Sequence, residues 1–304
     1  MSHLVSVTLD SYQWTGGQSP IDCHICNAAN TADADLCQKC FAPLALTRQA
    51  QEQKTAPVTL AVLGAAGAGK TVYLGMLMDM LSRRKTGLQL VARGAFSINM
   101  QQTTARALAR SQFPEKTPNE PDRWNWVHCQ LRRPKVRKPQ DVIIPDPAGE
   151  SILEELDHPG SYPGVQAVLQ RCRGVLLLVD TVAIEEGSPD QEYFAMKVLG
   201  YLAELRDGAK KGWTQRPVGI LFTKADQCET CFENPQRYAQ RRASALWRQC
   251  EELFPRHAFF ACSVAGGSGY RVLPDHELPV LVPLRVEPRG IVEPFQWLIQ
   301  HVRK

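Results

Sequence analysis

Apolar residues fall along this chain in two rhythms. Short runs with almost no polar interruption occur at 58–63, 142–144, 174–179, 219–222 and 258–261. Runs of that length and purity suit strands covered on both faces. Between them, 72–81, 96–112, 190–207, 235–254 and 293–302 space their apolar residues as helices do. Residues 124–131 alternate well enough for a strand, whereas 278–284 is interrupted by Pro279 and Pro283 and reads as an edge strand or extended segment. Strands alternating with helices predict an α/β fold built on a doubly wound, mostly parallel sheet. In such a sheet ligands sit at the carboxyl ends of the strands.

Chemistry is densest at the end of the 58–63 run. Residues 64–71 spell G-x-x-x-x-G-K-T, with a strand before them and a helix after them. Backbone amides from Gly64 through Ala68 and Gly69 would curl around the α- and β-phosphates of a nucleotide, facing the positive end of the helix. Lys70 would reach the β/γ oxygens, and the Thr71 hydroxyl would hold Mg²⁺. Glycine is required at Gly64, Gly67 and Gly69 wherever a Cβ would block the phosphate or φ must be positive.

The base is chosen further along. The strand ending at Asp146-Pro147-Ala148-Gly149 carries D-x-x-G, where Asp146 would hold the Mg²⁺ shell and the Gly149 amide would meet the γ-phosphate. The next apolar strand ends in Thr223-Lys224-Ala225-Asp226. A carboxylate at Asp226 can accept two N–H groups from guanine that adenine does not offer, and the Lys224 stem would lie across the base. The ordered set of motifs resembles the P-loop GTPases of the Ras-like, translation-factor-related class. That family usually has Asn where Thr223 stands, although dynamin-type GTPases use Thr. The family's Ser-Ala loop behind the base is matched loosely around Ser263 and Val264. The resemblance implies GTP and GDP as ligands, with Mg²⁺.

The chain between Lys70 and Asp146 is longer than a small Ras-like domain needs, with an insert around 86–123. Thr117 is the candidate switch threonine, an N-cap or loop role being the alternative; Thr103 and Thr104 are expected to be buried in the inserted helix. Glu150 follows Gly149 where many relatives have a water-orienting Gln. A carboxylate can orient water, but its charge would face the γ-phosphate. Hydrolysis is therefore expected to be slow, or to rely on a partner or an arginine from elsewhere. Arg133, Arg137 and Lys138 read as a solvated hairpin.

Near the amino terminus, Cys23, Cys26, Cys37 and Cys40 form C-x2-C-x10-C-x2-C. Two close thiolate pairs suit a structural tetrahedral Zn²⁺, which would stabilise a module too small for its own core. His24, between ligands, is expected to be exposed and not to coordinate. Through Cys26, Asn30, Cys37 and Cys40 the segment resembles the Ran-binding-protein type of zinc finger, whose members bind single-stranded RNA or ubiquitin. Ile21 stands where that family has its tryptophan, and Trp14 lies further away. Asp22, Asp33 and Asp35 outnumber Lys39 and Arg48, which opposes phosphate-backbone contact. A zinc ribbon for protein contacts is the favoured reading, with RNA as the alternative. Cys228 and Cys231 have no second C-x-x-C and read as loop thiols.

The expected organisation is a zinc-ribbon module at 1–48, a polar linker or short helix at 49–56, and a P-loop domain at 57–304. The long insert, the zinc module and the ending at 288–298 also resemble bacterial double-GTPase proteins associated with conflict and defence, which implies a switch in a multi-protein system. A chain of 304 residues, 44% apolar, supplies a full core. A net charge of +4 is too mild to argue for nucleic acid. No apolar run reaches the roughly 18 residues of a membrane span, and the start lacks a secretory pattern. A cytoplasmic, membrane-free protein is expected. Its cysteines then read as metal ligands or buried thiols. The leading function is a GTP-hydrolysing switch. The alternatives are a non-hydrolysing GTP-binding adaptor, an ATPase, and an RNA-binding protein with a nucleotide-dependent clamp.

Overall fold

The four cysteines organise the first part of the chain. In the computed structural model, which describes residues 20–52, 56–83, 87–134, 136–205, 215–272 and 278–302, β1 (Ile21–Asp22) and β2 (Ala29–Asn30) form an antiparallel pair. Trp14, Gln53 and Lys54 lie outside the described residues. The region read as linker or short helix starts within α1 (Leu44–Glu52). Leu44, Leu46, Thr47 and Ala50 are buried on one side of this helix. Its other contacts hold it to both neighbours: Thr47 Oγ1 accepts the His24 amide at 2.9 Å, and Gln49 Oε1 lies 2.7 Å from His128 Nδ1.

The 58–63 run is split between two partners. β3 (Val58–Thr59) and β4 (Ala61–Gly64) are followed by α2 (Lys70–Ser82), β5 (Gln89–Ala92) and α3 (Gly94–Ala109). Next come β6 (Asn125–Arg132), β7 (Gln140–Asp146), α4 (Gly149–Asp157), α5 (Pro163–Arg171) and β8 (Val175–Asp180). β3 pairs in parallel with β7 and β4 in parallel with β8. The Leu60 amide donates to Ile143 O and the Ala61 amide to Gly174 O, both at 3.0 Å, so this one central strand joins both halves of the sheet. Beyond β7, β6 and β5 run antiparallel to their neighbours.

Beyond β8 the chain continues through α6 (Thr181–Glu185), α7 (Asp190–Glu204), β9 (Val218–Thr223), α8 (Glu229–Glu233), α9 (Pro235–Arg242), α10 (Ser244–Leu253) and β10 (His257–Ala261). β9 and β10 extend the parallel half. The remaining segments are β11 (Ser263–Ala265), β12 (Ser268–Arg271), β13 (Val280–Pro283), β14 (Val286–Arg289) and α11 (Val292–His301). Among the described residues β13, from the proline-broken segment, pairs with β12, and β11 pairs with β14.

Alternation along the central strands feeds two cores. Ala61, Leu63, Val175, Leu177 and Val179 face one side, with the cysteine module, α5 and α7. Leu60, Val62, Leu176 and Leu178 face the other, with α2 and α11. This is why the runs carry no polar face. The inserted α3 packs on α2 so closely that a Cβ at Gly75 would fall 2.1 Å from Thr104 Oγ1.

Three local expectations are corrected. Thr104 is buried but Thr103 is exposed, because they sit on different sides of α3. The helix expected over 235–254 is two, α9 and α10, divided at Ala243 (φ −135°). Glu192 of α7 accepts the Ala245 and Leu246 amides at 2.9 and 3.0 Å, capping a new helix start from across the core. His24 is half-buried rather than exposed, and burial, followed by the nearby Arg171 charge, lowers its pKa.

Candidate nucleotide and metal sites

The glycine loop bridges β4 and α2 with the backbone its sequence demands. Gly67 and Gly69 have φ of 75° and 85°, a region that side chains with a Cβ seldom enter. Gly64 lies against β8, where a Cβ would fall 2.8 Å from Leu178 O. Ala68 is fully buried beneath the loop. Lys70 is buried, and its Nζ donates to Gly64 O at 2.9 Å and Ala65 O at 3.3 Å. Burial lowers its pKa, against the opposing pull of Asp146 and Glu150.

At the far side of the loop, one carboxylate oxygen gathers three side chains. Thr71 Oγ1 donates to Asp146 Oδ2 at 2.7 Å, and Thr117 Oγ1 does so at 3.0 Å. Asn125 Nδ2 stands 3.4 Å from the same oxygen. Asp146 is fully buried, and among the described residues its Oδ1 has no hydrogen-bond partner. Burial raises its pKa, although Lys70 and these three donors favour the ionised form. An orphaned buried carboxylate oxygen beside a threonine hydroxyl fits a hard cation such as Mg²⁺. Gly149 starts α4 so near the loop that a Cβ would fall 2.2 Å from Ala66 N. Glu150 follows, exposed in the first turn of α4 and lining the same cavity.

That cavity, of about 250 Å³, runs from the glycine loop to the ends of β9 and β11. Thr223 turns its hydroxyl under the loop, donating to Ala68 O at 2.9 Å and standing 3.3 Å from Val179 O. It thereby ties the phosphate loop to β8. Lys224 takes a left-handed backbone (φ 55°) and sets its Nζ 2.5 Å from Asp180 Oδ2. Ser263 Oγ lies 2.5 Å from Asp226 Oδ1, whereas the buried Asp226 Oδ2 has no partner among the described residues. Val264 completes that wall, next to Cys262. The structure thus brings the residues expected at the phosphates and those expected at the base around one space. Asn125 and Asp180 went unnoticed in the sequence: neither belongs to a motif, and only strand pairing brings them to the site.

Each C-x2-C turn closes with a residue of positive φ, Asn27 (61°) and Phe41 (59°). The Asn27 amide donates to Cys23 O at 2.8 Å and the Phe41 amide to Cys37 O at 2.9 Å, so the two turns match. Cys23 and Cys40 Sγ lie 3.6 Å apart, Cys26 and Cys37 Sγ 3.5 Å, and all four ligand atoms fall within 4.8 Å of one another. Thiolates around a tetrahedral zinc with bonds near 2.3 Å stand about 3.8 Å apart, so the cluster fits that ion. Asn30, part of the finger-like pattern, is buried and braces both turns: Nδ2 donates to Ala28 O at 2.7 Å and Oδ1 accepts the Gln38 amide at 2.9 Å. Among the described residues no other such cysteine group occurs; Cys231 is buried and Cys228 half-buried.

A glycine loop before a helix, a carboxylate at the end of β7 and a second carboxylate lining the same cavity define a P-loop domain of the GTPase type. The chain belongs to the Double-GTPase 2 family, whose model matches residues 58–275. The cysteine module lies outside that match. The fold is similar to that of Methanosarcina barkeri Roco2 RocCORdC bound to GDP, at 16% identity and a TM-score of 0.35 over 68% of this chain and 43% of that one. It is also similar to the S. cerevisiae Ski7 GTPase-like domain bound to GTP, at 15% identity and a TM-score of 0.43 over 82% and 50%. The chain thus spans about half the length of these solved chains. No curated protein matches it. Among the described residues no helix is long and apolar enough to cross a membrane.

Proposed function

We propose that this protein is a GTP-binding switch that hydrolyses GTP slowly, with a zinc-holding module for a protein partner. The observation that carries this is Asp226. Asp226 lines the cavity that the glycine loop closes at its other end, and among the described residues its buried Oδ2 has no hydrogen-bond partner. An unpaired buried carboxylate oxygen is costly until a donor meets it, and guanine offers N1–H and the exocyclic amine together. Gly64, Gly67, Ala68, Gly69 and Lys70 then hold the phosphates. Thr71 and Asp146 would hold Mg²⁺, which would supply positive charge beside the phosphates. Thr117 and Gly149 come from the two segments that would register the γ-phosphate, so its loss on hydrolysis releases both. Glu150 is the candidate for orienting the attacking water, at the expense of a negative charge near the phosphate. The exposed Asp22, Asp33 and Asp35 favour a protein over RNA as partner of the zinc module.

A second reading, a GTP-binding adaptor that does not turn over, is favoured by that same Glu150. Parallel titration with labelled GTP and ATP, with phosphate release followed in the same samples, tests both. The switch predicts tighter GTP binding with slow release of phosphate. GTP binding without release, with candidate partners present, supports the adaptor, and equal affinity for ATP overturns the guanine reading.

A further inference from the structure

Asp180 belongs to none of the nucleotide motifs, yet it holds the ammonium of Lys224, which lines the base side of the cavity. It ends β8 directly opposite Thr223 of β9, so the strand pairing itself brings it beside Lys224. The Asp180 side chain is 10% exposed and that of Lys224 34% exposed, with Nζ and Oδ2 2.5 Å apart. The carboxylate is held a second time, because its other oxygen accepts the Val182 amide at 3.0 Å and caps α6. Its own amide faces Gln191 Oε1 of α7 at 3.3 Å. Lys224, in contrast, has a left-handed backbone and four flexible methylene groups. Unclamped, that stem would lose rotamer freedom each time a base lay against it.

We propose that Asp180 is a positioning residue for nucleotide recognition: by gripping the Lys224 ammonium it holds the lysine stem as a preformed wall for the base. This rests on the reading of the cavity as a guanine-nucleotide site. Asp180 acts through the base and not through the phosphates, which the glycine loop and Lys70 hold. Its effect therefore falls on the residence time of any nucleotide with that base and spares ligands that have none.

Asp180→Asn is the informative variant, since an amide oxygen still caps α6 while the charge is lost. Dissociation of labelled GDP, and competition by inorganic tripolyphosphate, are measured for wild type, Asp180→Asn, Lys224→Met and the double variant. GDP release is expected to rise about tenfold in each single variant and no further in the double, as for two residues acting as one unit. The affinity for tripolyphosphate, corrected for each protein's GDP affinity, should be the same in all four proteins. Unchanged GDP release in Asp180→Asn would overturn the proposal, as would multiplied effects in the double variant or a parallel loss of tripolyphosphate binding. A wild type that binds ATP as well as GTP sinks the guanine reading itself, a result distinct from these.

Discussion

Thr117 Oγ1 lies 2.8 Å from Thr71 Oγ1, although 46 positions separate the two residues. One threonine lies in the first turn of the helix after the glycine loop and the other within a long insert, and both reach Asp146 Oδ2. Their consequences on removal should differ. Thr71→Ala should weaken Mg²⁺-dependent binding of GDP and GTP alike. Thr117→Ala should leave GDP affinity within about twofold and slow GTP hydrolysis about tenfold or more, in the range of one lost buried hydrogen bond. Binding and single-turnover rates with both nucleotides check this, and equal effects of the two variants would refute it.

Gly149 meets the loop across a gap that leaves no room for a methyl group, since a Cβ there would fall 2.2 Å from the Ala66 amide nitrogen. Gly149→Ala must push α4 and the glycine loop apart. It should cost about 1–3 kcal/mol of stability, as overpacking does, and it should reduce hydrolysis more than GDP binding. Denaturant melts and phosphate release together test both halves of that expectation.

The same close packing occurs far from the site, where Gly75 of α2 meets Thr104 of α3. Gly75→Ala should destabilise the protein by about 1–3 kcal/mol, and Thr104→Ala in the same chain should restore part of the loss. A double variant no more stable than Gly75→Ala would mean that the helices do not touch there.

Metal removal should reach beyond the small module. Cys23, Ile25, Cys37 and Leu44 share one buried cluster with Ile143 and Val175 of the sheet, and a Cβ at Gly164 of α5 would fall 2.9 Å from Cys40 O. Chelation, or Cys37→Ser, should therefore remove zinc and lower the main melting transition together. An unshifted main transition in a metal-free sample would show that the sheet does not depend on the module.

The glycine loop, D-x-x-G and T-K-x-D were legible because each packs its chemistry into consecutive residues at a strand end. The paired cysteines were legible for a similar reason, a short loop setting each pair. What escaped depends on distant partners. The break at Ala243 is favoured by Glu192 of another helix, and the half-burial of His24 comes with its tie to α1. The Asp180–Lys224 contact requires β8 and β9 to align end to end. Thr117 could be nominated from its place before a strand, but its approach to Asp146 follows from how the long insert folds back.

The guanine claim is tested most directly by exchanging hydrogen-bond partners at Asp226. Asp226→Asn offers one acceptor and one donor, which matches xanthine, where a carbonyl replaces the guanine amine. Wild type should prefer GTP over xanthosine triphosphate and Asp226→Asn should reverse this order, each by about tenfold or more, since a mispaired buried polar group costs about 1–3 kcal/mol. An Asp226→Asn protein that still prefers GTP, or a wild type indifferent to the base, would contradict it.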